Sequence, residues 1–149
     1  MYPRLICGSP GDLRNATNMQ IKNSFPLPLR GEFVGGGKWK LLEPFQYHSK
    51  KYGTTKVPAG FISDGASFPA FAYGIMGSPW GGKYAEPSVI HDWDYNQKTP
   101  QKIADKKFLE GMKVKKVFFI KRDIMYRTLR MFGWFSWRKN KTTKGERHV

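Results

Sequence analysis

Apolar and polar positions alternate in short runs through the first half of the chain, and the spacing then becomes helical. Lys38-Trp39-Lys40-Leu41 and Phe45-Gln46-Tyr47-His48 each place every second residue on an apolar face, the period of a half-buried strand. Thr54 to Val57 and Phe61 to Ser63 add two short strands divided by Pro58 and Gly60, and the triglycine 35–37 supplies a turn. These runs predict a small, mostly antiparallel sheet over about residues 32–63.

Beyond it, apolar residues recur at three and four. Ser67 is placed to cap a short helix through Met76, with Pro69 in its first turn. Glu86 to Tyr95 predicts a second helix, Thr99 or Pro100 to Lys113 a third, and Phe118 to Phe132 a fourth that Gly133 would terminate. Pro3, Pro10, Pro26 and Pro28 favour an extended arm over residues 1–30, because each proline biases its predecessor away from helix. The charged stretch 138–149 reads as a flexible basic tail. The expected fold class is α+β: one domain over residues 31–137, in which the small sheet of the N-terminal half packs against three to four C-terminal helices.

Two of the helices carry the candidate chemistry. Asp105 shares a face with Phe108, Leu109 and Met112, so that carboxylate should turn toward the core. Buried without a partner it would cost several kcal/mol, so it needs a cation, hydrogen-bond donors or a metal. On the preceding helix, Val89, Ile90 and Trp93 mark the buried side, and His91 and Tyr95, four apart, share an edge. Asp92 points about a quarter turn away, and Asp64 lies on an Asp-Gly-Ala-Ser loop that could fold over the pair. Two readings stand. In one, Asp64, His91, Asp92 and Asp105 are catalytic, with His91, Asp92 and Asp105 holding a divalent metal or acting as an acid/base set. In the other, Asp64 or Ser67 caps a helix, and His91 and Asp105 join Tyr95, Tyr126 and Arg130 in a polar network that locks helices together.

Composition narrows the field. A single Cys7 excludes an internal disulfide framework and a Cys-based zinc site. No run approaches the roughly 18 apolar residues of a spanning helix. The N-terminus lacks the apolar core of a secretory signal. The triglycine lacks the Gly-Lys-Ser/Thr of a phosphate loop, and no G-x-S-x-G elbow is present. G-S-P-W-G-G-K-Y sets small residues beside Lys83 that could cradle an anion, but a plain turn explains them better.

Charge changes the picture more. The net charge is +15, and residues 98–130 and 138–149 carry 12 of the excess positive charges. Lys113, Lys115, Lys116, Arg122, Arg138, Lys139 and Lys141 are candidate contacts for nucleic acid or another polyanion, interleaved near the C-terminus with Trp134, Phe135 and Trp137. Arg122, Tyr126 and Arg130 line one helix face, and pairing of Arg130 with Asp92 or Asp105 is the structural alternative for that cation.

Taken in order, V-P-A-G-F-I-S-D-G-A-S-F-P, G-S-P-W-G-G-K-Y, V-I-H-D-W-D-Y, A-D-K-K-F and M-Y-R-T-L-R-M-F-G resemble the domain-of-unknown-function family numbered 1353, over about residues 54–133. The matching positions are Asp64, Ser67, Pro69, His91, Asp92, Tyr95, Asp105, Tyr126 and Arg130. Ala70 and Asp94 depart from the pattern, which has a basic and an apolar residue there. The resemblance implies a protein of tailed phages or prophages. With the uneven charge it implies a structural or accessory virion component of the neck, tail or interior that contacts other virion proteins or DNA; the His91, Asp92, Asp105 and Asp64 set separately suggests a metal-dependent hydrolase of cell wall or a phosphoester, and the basic C-terminal third a DNA-binding module. The implied location is the virion, and the host cytoplasm before assembly.

Overall fold

Strand β3 (Phe45–Ser49) and strand β4 (Gly53–Val57) form an antiparallel hairpin in register from Phe45 against Val57 to Ser49 against Gly53. Alternation sets its buried side: Phe45, Tyr47 and Ser49 of one strand and Thr55 and Val57 of the other point inward. The turn is tied by Ser49, whose hydroxyl oxygen accepts from the backbone N–H of Lys51 and Tyr52. The computed structural model describes residues 22–64 and 82–142; for Phe132 and residues 134–142 only the backbone is described.

A second sheet holds β1 (Gly31–Phe33), β2 (Trp39–Leu41) and β5 (Ile62–Ser63) in the order β1-β2-β5, with both pairings antiparallel. Gly35, Gly36 and Gly37 all take positive φ in the β1–β2 turn, which ordinary side chains resist. The sheet expected as one piece is therefore two small ones. The end of the expected arm is docked: Ser24 bridges His48, and Phe25 packs on the rings of Phe45 and Tyr47.

Three helices follow, α1 (Ala85–Asn96), α2 (Gln101–Val114) and α3 (Phe119–Thr142). Just beyond the end of α1, Lys98 takes the left-handed conformation, and the N–H of Lys98 and Thr99 reach back to the carbonyls of Tyr95 and Asp94. Lys116 closes α2 in the same way. Two tight turns thus fold α1, α2 and α3 against one another. α3 does not stop at Gly133. That glycine is buried within the helix, and a Cβ there would lie 2.7 Å from the Tyr95 hydroxyl oxygen, so it serves close approach of α1 and α3, not capping.

The core has two parts. Leu41, Phe45, Tyr47, Val57, Val89 and Ile90 join the sheets to α1, while Tyr84, Phe108, Met112, Val117 and Met125 join α2 to α3. Polar side chains run between these clusters. No helix among the described residues is long and apolar enough to cross a membrane.

Candidate functional site

Asp105 is the centre of the site. Its side chain is fully buried, on the α2 face that also buries Phe108 and Met112. His91 Nε2 lies 3.0 Å from Asp105 Oδ1, and the Tyr95 hydroxyl donates to the same oxygen at 2.8 Å. Arg130, from α3, donates from Nη1 to Oδ2 at 3.0 Å. The helical spacing explains the convergence: His91 and Tyr95 are one turn apart on α1, and Gly133 lets α3 approach Tyr95.

Burial would raise the Asp105 pKa, but hydrogen bonding and Coulombic attraction from His91, then hydrogen bonds from Arg130 and Tyr95, outweigh it. The carboxyl is held below the ordinary aspartate value. Tyr95 is pushed up, first by burial and then by the charge of Asp105, so its phenol stays a donor. Hydrogen bonding to Asp105 raises Arg130 further. An ionised carboxylate only accepts, so Nε2 of His91 must carry the hydrogen, and the lone pair of a neutral ring sits on Nδ1. The His91 side chain is 7% exposed and that of Arg130 is 42% exposed, so the network runs from the interior to the surface.

The other expected residues divide. Asp92 is half-buried and accepts a hydrogen bond from Ser63 at the end of β5. Asp64 is exposed. His91 and Asp105 bond each other, and among the described residues no group of three or more His, Cys, Asp or Glu is placed to hold a metal. Tyr126 is half-buried near Arg130 and adds to its positive character. Of the basic set, Lys113 and Lys116 are exposed, Arg122 is half-buried, and Lys115 pairs with Glu86 at 2.6 Å. Ser67 with its helix, Pro69, Ala70, Cys7 and residues 143–149 lie outside the described residues, as do the side chains of Arg138, Lys139 and Lys141.

Sequence reasoning missed a second buried network. Lys107, 8% exposed, donates to Asp94 Oδ1 at 3.0 Å and to Thr55 Oγ1 at 2.9 Å. Thr99 also donates to Asp94 Oδ1, whereas Asp94 Oδ2 is buried without a partner. The pattern held a clue: Ala104, Lys107, Phe108 and Gly111 form an inward stripe at three, four and seven. Asp94, the departure from the resembled pattern, is thus matched by a buried ammonium. Glu110, third, accepts from Ser49 at 2.7 Å and from Tyr47 at 3.4 Å, fastening α2 to β3.

Fold and site together define an α+β protein whose helical hairpin buries an imidazole–carboxylate pair sealed by tyrosine and arginine. Residues 39–129 match the DUF1353 family, described as proteins of unknown function, and the chain belongs to it. It is also 36% identical over 109 residues to an uncharacterized protein, y4jT, of Sinorhizobium fredii (strain NBRC 101917 / NGR234). That similarity covers 69% of this chain and 32% of the relative, so the chain spans about a third of the relative's length. No solved structure matches.

Proposed function

We propose that this protein is a hydrolase in which His91, oriented by Asp105, activates water for attack on an ester. The observation that carries this reading is the 3.0 Å contact between His91 Nε2 and a fully buried, ionised Asp105. Such a carboxylate fixes the ring tautomer and stabilises the imidazolium that forms when Nδ1 takes a proton from water. The hydroxide adds to the ester carbonyl or phosphoryl centre, the proton on Nδ1 passes to the leaving alkoxide, and acid and alcohol separate. Tyr95 and Arg130 are positioning residues that hold Asp105 in place.

Chromogenic carboxylic and phosphoric esters test this, with divalent cations added and then chelated. His91→Gln should lower kcat by about 100-fold or more, with the far-ultraviolet circular dichroism retained. Tyr95→Phe should lower it less. Full activity in His91→Gln, or no turnover of either ester class by the wild type under any cation condition, would refute the assignment.

The second reading is a structural or accessory component of a phage particle. Exposed Phe33, Val34, Leu42 and Ile62 on and beside the β1–β2–β5 sheet support it, as apolar surface that a neighbouring subunit would cover. Mass spectrometry of assembled particles that finds no copy of the chain would sink this reading.

A further inference from the structure

Where α3 begins, three consecutive large apolar side chains face solvent: Phe118 is 64% exposed, Phe119 61% and Ile120 51%. No hydrophobic run of this kind is needed to start a helix, and leaving it in water is unfavourable. The two phenyl rings pack on each other, with centroids 4.7 Å apart and planes at 51°, so they form a single apolar knob.

Cations surround that knob. Lys113, Lys116 and Arg122 stand beside it, and among the described residues none of them has a salt-bridge partner. The nearby acid, Asp123, is matched by Arg127 at 2.8 Å, so the local field is positive. From the knob a groove of about 470 Å³ runs between α2 and α3, lined by Leu109, Lys113, Phe119, Ile120, Arg122 and Tyr126, with Asp123 and Ile124 completing its wall. Two of its lining residues neighbour the Asp105 network along their helices: Leu109 is one turn beyond Asp105 on α2, and Tyr126 one turn before Arg130 on α3.

We infer that this surface docks on an anionic lipid bilayer, the Phe118–Ile120 knob entering the acyl region while Lys113, Lys116 and Arg122 meet headgroup phosphates. Duplex DNA would satisfy the cations but leave the knob uncovered. A single strand could stack bases on the exposed rings but supplies no apolar cover for Ile120, which is 51% exposed. Resting on the proposed hydrolase, the groove further assigns the substrate class as an acyl ester of an anionic lipid, its chain lying along Leu109, Phe119 and Ile120.

Sedimentation of the full chain with phosphatidylcholine vesicles, and with vesicles containing phosphatidylglycerol, tests the docking surface. Wild type should sediment with the anionic vesicles alone, and less as salt is raised. Phe118→Ser with Phe119→Ser should weaken partitioning by about 10-fold or more, since each ring loses its transfer from water. Both side chains are exposed, so the fold should persist, and Phe33→Ser, on the β1–β2–β5 sheet, should bind as wild type does. Absence of sedimentation by the wild type, or equal sedimentation of the double variant, overturns the inference. So does tighter binding to duplex or single-stranded DNA that the same double variant loses.

Fatty-acid release from the vesicles separates the two proposals. His91→Gln should bind normally and release none. If wild type binds and releases none, the docking surface stands and the lipid-hydrolase assignment falls. Release from dispersed monomeric lipid without sedimentation leaves the hydrolase and removes the docking surface.

Discussion

Replacing Lys107 by Met tests how the buried polar groups support this fold. The substitution keeps the unbranched apolar stem but loses the terminal ammonium that bonds Asp94 Oδ1 at 3.0 Å and Thr55 Oγ1 at 2.9 Å. Asp94 would remain buried with Thr99 as its side-chain donor and with Oδ2 already lacking one. Removing one partner of a buried ion pair costs about 3–5 kcal/mol, because a charge is left uncompensated. In a chain of this size each kcal/mol moves the melting temperature by roughly 2–4 °C, so a fall on the order of 10 °C is expected. The sharper test is the double variant. Asp94→Asn should destabilise the wild type, yet stabilise Lys107→Met, because it removes the stranded charge. Urea unfolding of the four proteins gives the coupling energy directly. Additive losses, or a Lys107→Met variant that loses less than about 1 kcal/mol, would refute the account of Asp94 and Lys107 as one buried pair.

How much of this was legible from the residues depended on whether a local rule governed them. β2 to β5, α1 and α2 follow alternation or helical spacing, and the structure places them within a residue or two of the expected spans. The burial of Asp105 was legible for the same reason, since its helical neighbours Phe108 and Met112 are obligatory core. Division of the strands into two sheets was not legible, because pairing is long-range: β5 returns to β2 across the whole β3–β4 hairpin. Gly133 misled because a glycine after an apolar run marks either a helix end or a close crossing, and Tyr95, the residue that decides, is distant in sequence. Arg130 could be assigned a carboxylate but not which one; the crossing of α3 over α2 selects Asp105. Lys107 was passed over because lysine is rarely buried, although its place in the inward stripe was visible.

Two further perturbations probe the Asp105 network. Gly133→Ala gains about 1 kcal/mol of helix propensity but sets a methyl 2.7 Å from the Tyr95 hydroxyl oxygen, which Asp105 holds in place. A net loss in thermal stability is expected, turning into a gain in the Tyr95→Phe background; a variant stabilised in both backgrounds would show that α3 does not cross there. Asp105→Asn should cost about 2–3 kcal/mol at neutral pH, the worth of hydrogen bonds to a charged acceptor. The pH dependence carries more information than that loss. Because the folded-state pKa of Asp105 is lowered, its contribution is complete above the unfolded value of about 3.9 and disappears as pH falls through the folded value. Wild-type stability should therefore drop in that acid window more steeply than that of Asp105→Asn, and the two curves should converge below it. Chemical denaturation at a series of pH values decides the matter: parallel curves would mean that Asp105 is not held as the carboxylate, and the fixed tautomer of His91 would lose its cause.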